Sequence, residues 1–371
     1  MSIYKVSERI LDCVANESKP FAGIIFDCDG VLIDATKSYD LTVEQCSKAF
    51  SAGLGVQLSD DVQLYRVLEL LRNLGTFNND WDSVAVIVAY VFRKSNYVRG
   101  IQAMDDSAPL SQRLKALESN YLSNGSLRNM GLDKLIQFLM LCPTGMTREE
   151  MIATIIQEKE KRDELFNFLS YPEPVGVGLL STFFDEAMYG KQVFKETYGL
   201  ECATSVVSVP GNIQNENVLV EANALSELSR LCAGNLGIIT GRPKVPTVHS
   251  MGRLFHEFFR RQELCVFTGE NLLDKEEVKP SPRPMFKVAA ALQDGHSPIL
   301  YVGDSEEDLL MVERAKDSKL LGDQKVLFAA IAPTRERAHF FENRENVECI
   351  VSNVNEVSKA LLGERLWADN S

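Results

Sequence analysis

The stretch F-D-C-D-G-V-L-I-D-A-T-K-S-Y-D, residues 26–40, closes the apolar run Ala22 to Phe26 and sets Asp27 and Asp29 one residue apart at its end. A short apolar run rich in β-branched residues, without alternation, is the pattern of a strand buried on both faces. Two carboxylates at the tip of such a strand are costly to keep close together unless a cation or a reaction uses them. Gly30, next in line, permits a tight turn beside them.

Similar runs recur at Leu236 to Thr240, Leu264 to Thr268, Ile299 to Val302, Val326 to Ala332 and Glu348 to Val351. Helical patterns separate the later ones: Val245 to Gln262, Pro282 to Gln293, Glu306 to Ala315, Thr334 to Phe341 and Val354 to Leu362. This alternation predicts an α/β fold with a Rossmann-like, doubly wound parallel sheet. Ligands in such sheets bind at the carboxyl ends of the strands, beside the point where the strand order reverses.

The interval from Thr36 to Thr204 is different in kind. Its patterns are helical: Tyr39 to Ala52, Asp60 to Leu74, Asp80 to Lys94, Leu127 to Leu141, Thr147 to Leu169 and Gly176 to Tyr198. Thr147 followed three residues later by Glu150 is a capping-box signature. An insertion of this length is a domain rather than a loop. Residues 1–35 and 205–371 are therefore expected to form the α/β domain and 36–204 a helical one, with 205–220 as the return linker. Two domains also suit 371 residues, more than one core usually serves.

Composition narrows the functions. A formal net charge of −13 without a concentrated basic patch argues against nucleic acid and anionic membrane as partners. Eight scattered cysteines without a C-x-x-C pair fit reduced thiols in the cytoplasm. The first twenty residues carry Glu8, Arg9 and Asp12, unlike a secretory signal, and Ile3, Val6, Ile10 and Val14 predict a leading helix. The longest apolar stretch, Val84 to Phe92, is too short to cross a bilayer.

Three other strand-like runs also lead into reactive residues: Thr240-Gly241-Arg242, Lys279 in E-E-V-K-P-S-P-R-P, and Asp304 and Asp308 in G-D-S-E-E-D. A parallel sheet would bring all of them to one edge. Up to four carboxylates with a single ammonium call for a cation, and an all-oxygen ligand set suits Mg²⁺.

In order, D-C-D-G-V (27–31), T-G-R (240–242), K-P (279–280) and G-D-S-E-E-D (303–308) resemble the four motifs of the haloacid dehalogenase superfamily. Asp29 and Thr240 are 211 positions apart and Thr240 and Lys279 only 39, so the resemblance is to the branch whose helical cap follows the first motif. The cap interval also holds G-T-F-N-N-D-W (75–81), which resembles a small clade of that superfamily with an Asn-Asn-Asp-Trp cap element.

The resemblance implies a phosphatase acting through an aspartyl-phosphate, and a cap this large suggests an enclosed pocket and hence a small phosphorylated metabolite as substrate. Asp27 would be the nucleophile and Asp29 the proton shuttle, a role asking for a raised pKa that a neighbouring carboxylate and a closed cap would supply. Mg²⁺ would be held by the Asp27 carboxylate, the Asp29 carbonyl and Asp304, with Asp308 in an outer position orienting Lys279 or bound water. Thr240 and the Gly241 amide would bind phosphate oxygens, and Lys279 would neutralise both the phosphate and Asp27.

Arg242 is either a second anion contact or a surface charge. Asn79 is a candidate substrate contact, against the simpler reading that the segment caps a helix with Asp80 as N-cap. Tyr189 and Lys191 could reach a polar substrate but read as a solvated face, Cys28 reads as filler, and the four histidines lie outside the motifs. A phosphomutase would use the same core, and a catalytically silent metabolite-binding regulator is the reading from a different class. Oligomeric state and the metabolite's identity are not legible.

Overall fold

The computed structural model of the chain describes residues 3–16, 19–58, 60–74, 77, 79–95, 108–122, 127–207, 209–271, 276–292 and 297–368. The chain divides into two compact units, Met1–Ala35 with Glu216–Ser371, and Thr36–Asn215.

The first unit carries a seven-stranded sheet of β1 (Ile3–Val6), β2 (Gly23–Phe26), β3 (Leu236–Thr240), β4 (Cys265–Phe267), β5 (Ile299–Gly303), β6 (Val326–Ile331) and β7 (Val347–Val351). Their order across the sheet is β1-β7-β6-β5-β2-β3-β4. All pairs are parallel except β1 with β7. Strand β2 lies centrally, with Phe26 in register with Val302 on one side and Ile238 on the other. From β2 the chain steps outward through β3 to β4, then crosses back to begin again at β5. Strand order therefore reverses between β2 and β5.

Every residue of β2, β3, β5, β6 and β7 is buried, which explains their unbroken apolar runs. Ile25, Ile239, Tyr301 and Phe328 pack with Met285, Leu309, Val312 and Phe341 of the helices Arg283–Leu292, Glu306–Asp317 and Arg335–Glu342. Each such side chain taken from water contributes about 1.5–3 kcal/mol. That burial holds the strand ends, and the polar residues on them, in fixed positions.

The second unit consists mainly of the helices Thr36–Gly53, Asp61–Asn73, Asp80–Lys94, Leu110–Leu122, Asp133–Leu139, Arg148–Ile155, Lys159–Leu169 and Leu179–Tyr198. Ser83 to Phe92 are buried without interruption, so Asp80–Lys94 is a central helix apolar on all sides. Among the described residues, no helix is long and apolar enough to cross a membrane.

Several expectations need correction. Ile3 to Val6 form a strand, not the start of a helix, because the extended backbone completes the edge beside β7. The helix Glu8–Asn16 follows, with the Ser7 hydroxyl accepting from the Ile10 amide at 3.3 Å. The segment 147–169 is two helices: Ile156 is extended, and Arg162 donates to the carbonyls of Ile156 and Gln157, both at 2.8 Å. The helix expected from Val245 breaks at Gly252, whose φ of 52° is foreign to a right-handed helix. Leu127 to Leu141 contains a strand, Arg128–Met130, before its helix begins.

The second unit ends at Asn215 rather than near Thr204. Glu186 accepts the amides of Ala203 and Thr204 at 2.8 and 2.9 Å, and Glu118 those of Ser205, Val206 and Val207 at 2.8, 2.6 and 3.1 Å. Asn212 donates to Thr42 and Gln45 at 3.0 and 2.9 Å. These bonds tie the expected linker to the helices. Past Asn215 the chain rejoins the first unit, where Asn217–Val218 pairs antiparallel with Ile33–Asp34.

Candidate functional site

The reversal point between β2 and β5 gathers the motif residues of the first unit. Asp27 follows β2, and its amide donates to Val302 O on β5 at 2.9 Å, extending the ladder one residue beyond the strand. Asp304 follows β5. Gly30, with φ +74°, turns the loop directly against it: a Cβ at Gly30 would lie 2.2 Å from Asp304 Oδ2. Glycine is needed here for conformation and for space.

Lys279 stands between carboxylates, with Nζ 2.8 Å from Asp27 Oδ1 and 2.8 Å from Asp308 Oδ1. The Cys28 amide donates to the same Asp27 oxygen at 2.7 Å, fixing that carboxylate. Asp308 is saturated differently. Its Oδ1 also accepts from the Tyr301 hydroxyl at 2.8 Å, while Oδ2 accepts from the amides of Asp304 and Ser305 and from the Ser305 hydroxyl at 3.2, 3.2 and 2.7 Å. Ser305 and Asp308 form the capping box of the helix Glu306–Asp317. Asp308 therefore orients Lys279 and has little capacity left for a direct ligand bond.

The electrostatics follow from burial. Burial pushes the Asp27 carboxyl well above the usual range, and the charge of Asp308 adds to this, against the opposing pull of Lys279. Burial and Asp308 likewise raise Asp304, to about 7. For Lys279 burial opposes the charge, but Asp27 and Asp308 override it and hold the ammonium above its ordinary value. Burial works against Asp308 as well, yet Lys279 and the bonds from Ser305 and Tyr301 keep its carboxyl low. The cluster is short of positive charge.

A divalent cation suits that deficit. Carboxylate oxygens of Asp27, Asp304 and Asp308 lie within 4.8 Å of one another, a hard, all-oxygen set of the kind Mg²⁺ takes. Because five hydrogen bonds already converge on Asp308, Asp27 and Asp304 are the pair free to ligate.

At the end of β3, Thr240 is 1% exposed, and its hydroxyl accepts from the Arg242 amide at 3.2 Å, which leaves its proton for donation. Gly241 follows on the same turn. Arg242 is neither a surface charge nor an open anion contact. Its guanidinium is 1% exposed and bonds Asp29 Oδ1 at 2.7 Å and both oxygens of Glu216 at 3.0 and 2.9 Å. Asp29 is thus paired with a cation, while its charge also acts on the carboxylate of Asp304.

Asn79 belongs to the helical unit and is itself the N-cap of Asp80–Lys94, its side chain accepting from the Trp81 amide at 3.0 Å; the cap is one residue earlier than expected. The residues that follow it, Asp80 to Asp82, are also engaged within that unit. Asp80 pairs with Arg72, Trp81 and Tyr198 bond Asp185, and Asp82 accepts from Tyr171 and Arg148, both at 2.7 Å. Tyr189 is buried rather than solvated, whereas Lys191 is exposed. Gly75, Thr76, Asn78 and His296 lie outside the described residues.

Sequence reasoning passed over Ser305, Tyr301 and Glu216. The Ser-x-x-Asp spacing of 305–308 is a readable capping signature before an apolar run. A tyrosine inside the buried run Ile299 to Val302 signals a hydroxyl that needs a partner. Glu216 gives no local signal.

No protein-family model matches the chain, and no curated protein does. Among solved structures, the chain is similar to an X-ray structure described as a Northeast Structural Genomics Consortium target, at 18% identity and a TM-score of 0.59, covering 93% of this chain and 99% of that one. At that identity the likeness extends to the fold, a mixed α/β architecture with a mostly parallel central sheet.

Proposed function

We propose that the protein is a Mg²⁺-dependent phosphatase of the haloacid dehalogenase type that hydrolyses a small phosphomonoester through an aspartyl-phosphate on Asp27. The observation that carries this reading is the buried Asp27, paired with Lys279 at 2.8 Å beside Asp304 at the point where strand order reverses.

In this reading an Asp27 oxygen attacks phosphorus, the bond from phosphorus to the substrate oxygen breaks, and Asp29 gives the departing oxygen a proton. Water then attacks the aspartyl-phosphate, surrenders its proton to Asp29, and leaves phosphate and free Asp27. Thr240 and the Gly241 amide donate to the phosphoryl oxygens, and Lys279 offsets the charge that builds on them. Mg²⁺, held by Asp27, Asp304 and the Asp29 carbonyl, would supply screening between the phosphate and Asp27. The resemblance assigns selection of the metabolite to the helical unit.

Phosphate release from a panel of phosphorylated metabolites, with and without Mg²⁺ and beside Asp27→Asn, tests the proposal. Metal-dependent release that vanishes in the variant supports it. Absence of release from every ester counts against it.

A further inference from the structure

From Glu216 a chain of ion pairs runs to Asp29. Arg242, among the largest fully buried side chains, uses NH2 for both oxygens of Glu216 at 3.0 and 2.9 Å and NH1 for Asp29 Oδ1 at 2.7 Å. The Glu216 side chain is 2% exposed and also accepts a hydrogen bond from the Ser250 hydroxyl, whereas the Asp29 side chain is 37% exposed. The buried end is fixed and the other end faces outward. A guanidinium taken out of water must keep its partners, so Glu216 sets where Arg242 points, and Arg242 sets where the Asp29 carboxylate points.

Local structure reinforces this. Arg242 follows Thr240 at the end of β3, with its amide bonded to the Thr240 hydroxyl. Glu216 directly precedes Asn217–Val218, which pairs with Ile33–Asp34, and Ile33 forms an isolated bridge with Asp29. The loop bearing Asp29 and the segment bearing Glu216 are thus joined twice, once by backbone and once through Arg242.

We infer that Glu216 and Arg242 are positioning residues for proton transfer by Asp29. The inference rests on the phosphatase reading above and deepens it: Asp29 is aimed by a residue 187 positions away in the sequence. Removing the Glu216 carboxylate takes two charge-assisted hydrogen bonds from Arg242 and loosens its hold on Asp29. Loss of aim hurts most where the leaving oxygen depends on receiving a proton. A p-nitrophenolate needs that help little, an unsubstituted phenolate much more.

The experiment compares kcat/KM for p-nitrophenyl phosphate and phenyl phosphate, with Mg²⁺, in the wild type, Asp27→Asn, Asp29→Asn and Glu216→Gln. This ratio reports transfer to Asp27, before water enters. The expected result is that Asp27→Asn abolishes both reactions, while Glu216→Gln, like Asp29→Asn, loses about tenfold more on phenyl phosphate than on p-nitrophenyl phosphate. Equal losses on both esters, or none, in Glu216→Gln would overturn the positioning role and leave the phosphatase reading standing. Wild-type protein inert to both esters, or an active Asp27→Asn, would overturn that reading and this inference with it. If circular dichroism shows that Glu216→Gln does not fold, Ser250→Ala, which removes one hydrogen bond onto Glu216, is measured instead: a smaller excess loss on phenyl phosphate supports the inference and equal losses overturn it.

Discussion

Gly30 and Asp304 approach so closely that a Cβ at Gly30 would lie 2.2 Å from Asp304 Oδ2. The loop that carries Asp29 and the loop after β5 are thereby locked at a spacing that only glycine allows. Gly30→Ala should push Asp304 aside and force a non-glycine residue to φ +74°, a conformation costing about 1–2 kcal/mol. A displacement near 1 Å at a reacting centre costs about 100-fold in rate. Calorimetric titration with Mg²⁺ and kcat/KM on p-nitrophenyl phosphate should both fall; unchanged metal affinity would show that Asp304 is not a ligand.

Lys279 offsets two buried carboxylates at once, Asp27 and Asp308, each at 2.8 Å. Lys279→Met leaves them facing each other without a counter-charge. Breaking a buried pair this way costs about 3–5 kcal/mol, read as a lower urea midpoint at neutral pH with the slope unchanged. A midpoint equal to that of the wild type would mean the cluster is not charge-balanced by this lysine.

Asp185 gives the helical unit a pH dependence. Burial raises its carboxyl from 3.8 to about 7, despite hydrogen bonds from Tyr198 and Trp81 that favour ionisation. As pH rises from about 4 to about 7, the unfolded chain sheds this proton while the folded chain keeps it, so stability falls by up to about 1.4 kcal/mol per unit. Below pH 4 the group contributes no slope, and above pH 7 the loss is complete. Asp185→Asn removes the effect, so its unfolding free energy minus that of the wild type should grow from pH 4 to pH 7. A difference constant with pH would contradict the assignment.

Asn79→Ala removes the N-cap of Asp80–Lys94 and should cost about 1 kcal/mol of stability. Thermal unfolding measures this directly. A large change in the substrate constant at unchanged stability would instead support Asn79 as a substrate contact.

How much of this was legible depends on where each constraint acts. Asp27, Thr240, Asp304 and Asp308 were readable because they sit at or shortly beyond the ends of buried apolar runs that a parallel sheet aligns, and Lys279 because its loop follows the half-buried strand next to them. Glu216 was not, because its meaning arises only when folding brings residue 216 against 242. The spacing of Ile3, Val6, Ile10 and Val14 suits a helix, yet the open edge beside β7 claims the first four residues of the described structure as a strand. Residues 147–169 keep one apolar period across a break at Ile156, where Arg162 takes up the released carbonyls. Such competition between local preference and a distant partner leaves no mark in a local pattern.

The claim at the centre of the account is that Asp27 carries the phosphoryl group. Mass spectrometry of enzyme quenched in acid during turnover of p-nitrophenyl phosphate with Mg²⁺ tests it most directly. The account predicts a phosphoryl group on the peptide containing Asp27, lost when Mg²⁺ is withheld and absent in Asp27→Asn, which releases no phosphate. Turnover with that peptide unmodified, or phosphate release by Asp27→Asn, would contradict it.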